Sequence, residues 1–243
     1  MSDINGQIAV ITAGTGKLGF EIAVALASEG AHIALGYSDR DQSQQARRLA
    51  ATITSRFGVR ALAVCADTSK WGDIDDMIWT VESELGNVGI LVNNAENIPA
   101  AVDETLPQLT WQNIIATTLT SALSMTQRVL PGMHDMRFGR LIMIPAIADA
   151  SNPIIARHHA ACNAGLNGLI QSYANSLAQD GITANVITPC RIENENRDAT
   201  GSSASISSST LHNSRATELT ELVVTLARCG SINGQIITMS QAR

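Results

Sequence analysis

Seven short apolar runs recur along this chain: QIAVITA, AHIALGY, VRALAVCAD, VGILVNNA, FGRLIMIPA, GITANVITP and NGQIITMS. Each has the length and β-branched content of a buried strand. The stretches between them carry apolar residues three and four apart, as in Gln42 to Phe57, Trp71 to Leu85, Trp111 to Met133 and Ala160 to Ala178. Strand-length runs alternating with helix-length runs predict βαβ crossovers, and right-handed crossovers place helices on both faces of a parallel sheet. The expected fold is α/β, a doubly wound parallel sheet of about seven strands, with its ligand crevice at the C-terminal strand edge.

A chain of 243 residues, 45% hydrophobic and 16% charged, can bury a large core, and no linker or repeat divides it, so one domain over 1–243 is expected. The stretch TGSSASISSST, Thr200 to Thr210, has no apolar face and predicts a mobile Ser-rich loop near 191–214, over the crevice. A net charge of -6 with scattered basic residues argues against nucleic acid and anionic membranes as partners. The N-terminus is polar and no apolar stretch reaches the roughly 20 residues of a membrane span, so a cytoplasmic location is expected. Cys65, Cys162, Cys190 and Cys229 lie far apart, which suggests neither a disulfide framework nor a zinc site and leaves them as buried, reduced thiols.

The run IAVITAGTGKLG leads straight into the helical pattern FEIAVALASEG, a strand, a tight loop and a helix. Its Gly14-x-Gly16-x-x-Gly19 spacing is that of a dinucleotide-binding turn, in which glycines let backbone approach a pyrophosphate at a helix N-terminus. Alone, the spacing is a weak signal.

Five landmarks in order make the chain resemble the short-chain dehydrogenase/reductase family from end to end. These are Thr12 to Gly19, Asp67 after the third strand, Asn93-Asn94-Ala95 after the fourth, GRLIMIPAIAD, and HHAACNAGLNGLIQSYANSLAQDGITANVITP. The resemblance implies a Rossmann-like domain that binds NAD or NADP, yet the letters that carry the chemistry differ. In the family's Thr-Gly-x-x-x-Gly-x-Gly loop, Ala13 and Lys17 take the first two glycine positions and only Gly19 remains. Lysine at 17 is expected to suffer from a positive φ and to obstruct the pyrophosphate. A loop rescued by Gly14 and Gly16 is the alternative. Tyr37 stands where a carboxylate holds the adenosine ribose, and Ser38 where NADP-type members often place arginine. Asp39 could substitute, although an exposed turn residue is the simpler reading. Asp67 and Asn93 can be retained for bonds to neighbouring backbone.

The resemblance also implies a catalytic tyrosine with a lysine four residues later, a serine thirteen residues before the tyrosine, and an asparagine in the preceding long helix. Those positions hold His159, Asn163, Ala146 and Thr118. Alanine offers no donor to a developing alkoxide, a loss of ~10²-fold or more in rate, and asparagine supplies no cation. Glu96, Cys190 and Ser240-Gln241 also depart from the family pattern.

His159 is the one substitute able to move a proton near neutral pH. His158 beside it suggests a dyad or metal pair, but adjacent helical residues point about 100° apart, so His159 is read as filling the tyrosine's space and no metal site is expected. His32, His134 and His212 are read as surface or loop residues, and Trp71, Trp79 and Trp111 as packing anchors.

The two long helical segments, 111–133 and 158–179, keep small and apolar residues on more than one face, which suits burial against both sheet and neighbour. With its catalytic letters replaced, the chain looks like the non-catalytic subunits of heteromeric hydroxyacyl-CoA dehydrogenases in this family, one of which works in anaerobic toluene degradation; this rests on resemblance, and no residue here encodes the substrate. That similarity implies no cofactor on this chain, NAD on a homologous active partner, and a heterotetramer assembled through those helices. Two alternatives stay open: an atypical oxidoreductase using His159, and a cofactor-free protein that binds a small ligand in the crevice.

Overall fold

The computed structural model of the protein describes residues 3–94, 108–145, 153–189 and 207–239. The expected seven strands all form: β1 (Ile8–Ile11), β2 (His32–Tyr37), β3 (Ala61–Cys65), β4 (Val88–Asn94), β5 (Gly139–Ile144), β6 (Ile182–Thr188) and β7 (Ile236–Thr238). They make one sheet in the order β3-β2-β1-β4-β5-β6-β7, every pair parallel. The chain winds outward from β1 to the β3 edge, then returns to lay β4 on the other side of β1. That reversal opens a crevice at the C-terminal strand ends.

Strands β4 and β5 are buried along their whole length, as parallel strands covered on both faces must be. Alternate residues feed two cores. Ile8 and Val10 join Ile74, Met77 and Val81 of α3 (Trp71–Glu84), Met125 and Val129 of α5 (Ser121–Met136), and Leu166 and Ile170 of α6 (Pro153–Leu177). Ala9 and Ile11 join Ile22 and Leu26 of α1 (Lys17–Ser28), Ile53 of α2 (Ser43–Phe57), and Val223 and Leu226 of α7 (Ser207–Arg228).

Several expectations are corrected. The segment 111–133 is not one regular helix: α4 (Gln108–Ile115) passes through a π-helical turn, Ala116–Thr120, into α5. Helix α7 begins at Ser207, inside the stretch expected as loop, while residues 190–206 lie outside the described residues. Serine and threonine satisfy backbone donors in a first helical turn, so a Ser-rich run can open a helix as well as avoid one. Trp71 and Trp79 are 51% and 66% exposed and anchor nothing, because α3 buries Ile74, Met77, Ile78 and Val81 instead. Of the thiols, Cys162 is buried, Cys65 and Cys229 are half-buried, and Cys190 lies outside the described residues. His134 is exposed but has a partner, with Nδ1 3.3 Å from an Asp180 carboxylate oxygen, and His32 accepts the Arg60 backbone N–H. Among the described residues no helix is long and apolar enough to cross a membrane.

Arg140 is a charged residue inside the apolar run of β5 and is 3% exposed. Its guanidinium donates to the carbonyls of Ala227, Gly139 and Gly181 and stacks over Phe138 at 4.3 Å, tying β5 to the start of β6 and the end of α7. Gly181 turns the chain into β6 at φ +74, where an added Cβ would strike the Arg137 carbonyl oxygen; Gly58 has φ +72 with open space around it. Gly181→Ala is therefore expected to lose more than the roughly 1–3 kcal/mol of backbone strain alone, and Gly58→Ala only that strain. Urea unfolding of both variants measures the difference.

Candidate functional site

The crevice is a cleft of about 300 Å³ over the C-terminal ends of β1 to β5. Thr12 and Ala13 come from the end of β1, Tyr37 and Ser38 from β2, Asp67 and Thr68 from the loop after β3, and Asn93 and Asn94 from β4. Thr118 and Ser121 reach it from the π turn and α5, and Leu166 from α6.

The turn from β1 to α1 is held by backbone contacts. The Thr12 hydroxyl donates to the Asn94 carbonyl at 3.2 Å and accepts the Asn94 N–H at 2.9 Å, pinning β1 to β4. Gly14 donates its N–H to the Gly36 carbonyl at 2.8 Å. A Cβ on Gly14 would lie 2.8 Å from the Ile11 carbonyl oxygen and 3.1 Å from the Leu35 Cα, and one on Gly19 would strike the Ala13 carbonyl oxygen. Both bare positions are used by chain packing on chain. Gly16, the N-cap of α1, has φ -68 and ψ 163, a conformation open to any residue.

The strain expected at Lys17 lies elsewhere. Lys17 is the exposed first residue of α1, and the left-handed residue of the loop is Ala13, with φ +48. An L-residue there costs about 1–2 kcal/mol, which glycine would not incur.

At the β2 and β3 ends Tyr37 is buried, and Asp39 and Asp67 already have partners. Tyr37 is 8% exposed, level with Cys65 across the sheet, and burial pushes its hydroxyl pKa up. Asp39 accepts the Asp41 N–H and caps a short turn. Asp67 accepts the Ser69 hydroxyl at 2.6 Å and its N–H at 3.1 Å, and pairs with Lys70 at 2.9 Å. The Ser69 bond and then Lys70 hold its carboxyl below the usual range. Asn93 points its amide at the Met143 sulfur, 3.2 Å away.

Thr118 is buried in the π turn. The shifted hydrogen-bond register there is met by Ser121, whose hydroxyl donates to the Thr117 carbonyl at 2.6 Å. Such turns mark functional positions in many helices. Sequence reading missed Ser121 and the break in the helix; the run TTLTS, hydroxyls at one-turn spacing, was the available signal.

His159 is fully buried on the inward stripe of α6 that continues through Cys162 and Leu166, and among the described residues neither ring nitrogen has a hydrogen-bond partner. Burial, then the neighbouring His158, lowers its pKa, so it is held neutral. His158 points elsewhere, edge-on to Trp111 at 5.0 Å. Asn163 follows one turn after His159 and is half-buried. Leu166 lines the cleft, whereas His159 and Asn163 do not. Ala146, Glu96, Cys190, Ser240 and Gln241 lie outside the described residues. No cluster suited to a metal ion occurs among the described residues.

Residues 7–204 match the short chain dehydrogenase family. The chain is 36% identical over 193 residues to the D-beta-hydroxybutyrate dehydrogenase of Cupriavidus necator, covering 76% of this chain and 70% of that protein. It is 32% identical over 190 residues to the acetoacetyl-CoA reductase of Rhizobium meliloti, covering 78% and 75%. Among solved structures, a double mutant of a Serratia marcescens short-chain dehydrogenase/reductase superposes with a TM-score of 0.80 at 25% identity over 98% of this chain and 97% of that one. The L-sorbose reductase of Gluconobacter frateurii, solved with NADPH and L-sorbose, shares the fold with a TM-score of 0.80 at 24% identity, over 98% and 97%. These relatives are by name oxidoreductases, and the chain belongs to the short-chain dehydrogenase/reductase family.

Proposed function

We propose that this chain is a non-catalytic subunit of a heteromeric NAD-dependent hydroxyacyl-CoA dehydrogenase, holding a homologous active subunit in its working shape. The observation that carries the reading is His159: at the family's tyrosine position stands a neutral imidazole, fully buried, with both nitrogens unpaired and no place in the cleft wall. A general acid has to reach the proton it moves within about 3 Å or through one water.

The residues present do not fit the nicotinamide dinucleotide that the family implies. The loop bends at Ala13 rather than at a glycine, and Lys17 opens the helix with a side chain where backbone should approach phosphate. The glycines that remain bare at 14 and 19 are filled by neighbouring backbone. Asp67 and Tyr37 are bonded or buried at the other end of the cleft. The competing reading, a working oxidoreductase with His159 as its acid, draws on the proton chemistry open to an imidazole, on the family match and on the names of the relatives.

The outward face of α6 supports assembly: Ala160, Ala161, Ala164 and Gly168 are all exposed and small, allowing another helix to approach closely. A heterotetramer built through α4–α5 and α6 is the arrangement proposed, with NAD on the active partner. A relative named for acetoacetyl-CoA supports a CoA thioester as substrate. Similarity to the inactive subunit of the hydroxybenzylsuccinyl-CoA dehydrogenase of anaerobic toluene degradation makes an aromatic hydroxyacyl-CoA the first one to assay.

Co-expression with a neighbouring homologue that keeps serine, tyrosine and lysine tests the proposal. The two chains are expected to purify together with NAD-dependent activity on that thioester, and replacing the homologue's tyrosine should abolish it. Turnover by this chain alone would overturn the reading. His159→Phe removes an unpaired polar ring and should raise stability by about 1–3 kcal/mol. Because the folded-state pKa of His159 lies below its ordinary value of about 6.5, its contribution is intact above that pH and is lost as the pH falls. Melting curves should show the wild type losing more stability than the variant between about pH 7 and pH 5.

A further inference from the structure

The N-terminal edge of the sheet, opposite the cleft, holds a buried cation with no acid beside it. Among the described residues the Arg140 guanidinium meets three carbonyls and the Phe138 ring but no carboxylate. A buried charge is costly unless an opposite charge answers it. Burial pushes the Arg140 pKa down, and among the described residues Cys229 is the group whose charge pushes it back. Nη2 is the one guanidinium nitrogen that none of the carbonyl bonds uses, and a Cβ on Gly230 would lie 3.5 Å from it. It therefore points at the turn that follows α7.

Thr183 stands beside Arg140. The two pair across β5 and β6, so both side chains lie on the α7 face of the sheet. Arg140 is bonded to Ala227, and Asn185, two residues along β6 from Thr183, is bonded to Ile232. Residues 228–231 therefore cross over Thr183. That residue is 4% exposed, and its hydroxyl has no hydrogen-bond partner. A buried hydroxyl left without a partner thus faces the turn that carries Cys229.

In that turn the Cys229 thiol is half-buried and surrounded by donors. Its Sγ lies 3.2 Å from the Ser231 hydroxyl, and the N–H groups of Ser231 and Ile232 also reach it. These bonds, the hydroxyl first, hold the thiol below its ordinary range. The C-terminal end of a helix disfavours an anion, but Arg140 already takes up the Ala227 carbonyl there. The neighbouring Arg228 and Glu29 answer each other at 2.8 Å. Cys162, by contrast, is pushed up by burial.

We propose that Cys229 is a redox-reactive thiol, oxidised by small hydroperoxides, with Arg140 and Thr183 placed to receive the oxygen it gains. The thiolate sulfur attacks the terminal peroxide oxygen: an S–O bond forms, the O–O bond breaks, sulfur gives up two electrons, and the second oxygen leaves as hydroxide or alkoxide. A small thiol then condenses with the sulfenic acid, releasing water and leaving a mixed disulfide. The site is remote from the cleft and does not rest on the subunit role.

Peroxide treatment of the full chain with dimedone present, read by peptide mass spectrometry, tests this. The expected result is a dimedone adduct on Cys229 formed at least about tenfold faster than on Cys65 or Cys162, since thiolate character and access set the rate. Iodoacetamide labelling of Cys229 against pH should show a midpoint below the ordinary thiol value of about 8.5. Ser231→Ala should raise that midpoint with an unchanged thermal melt, whereas Thr183→Val should slow adduct formation and leave the midpoint where it was. Adducts spread evenly over the cysteines overturn the proposal, and so does a Cys229 midpoint at or above the ordinary value.

Discussion

A parallel sheet has to be covered on both faces, because its strands are buried throughout and its connections can only cross over as helices. Most of this molecule follows from that requirement. The alternate residues of β1 feed two cores, each closed by its own set of helices, and among the described residues the apolar members of those cores are not the positions where the family carries its chemistry. The same logic holds at the loop. Gly14 and Gly19 are demanded by the Ile11 and Ala13 carbonyls, and Thr12 by its bonds to Asn94, whatever the cleft contains. The architecture therefore does not depend on the family's proton path, as the proposed loss of that path requires.

The cleft wall mixes polar groups kept for the chain's own packing with positions that depart from the family pattern, such as Ala13, Tyr37 and Thr118. Its hydroxyls at Thr12 and Ser121, the Asn94 backbone amide and the Asp67 carboxylate are engaged with the chain itself. The π turn around Thr118 keeps an irregular backbone at a family site whose asparagine is absent. At the end where chemistry would occur, a histidine has turned into the core without a polar partner. Its desolvation favours the uncharged ring, which suits a packing role better than an exchange of protons with a ligand.

Strand runs and helix periodicity were legible because the parallel sheet imposes them directly; all seven runs became strands in one sheet. The family landmarks likewise located the cleft at the C-terminal edge of β1 to β5. Less legible were features set by tertiary packing. Periodicity cannot show a π turn, since Trp111 to Met133 keeps its apolar spacing through the break. Nor could it show which of two loop positions takes the left-handed bend, Ala13 rather than Lys17. The tryptophans of α3 misled because size suggests burial, yet Ile74, Met77, Ile78 and Val81 already fill the inward face.

The central claim is that this fold no longer grips a nicotinamide dinucleotide. Calorimetric titration of the purified chain with NADH and with NADPH tests it most directly, since no partner, substrate or turnover is required. No saturable heat in the micromolar range is the predicted result for either nucleotide. A stoichiometric site of micromolar affinity, weakened when Lys17 is replaced by alanine, would contradict the account.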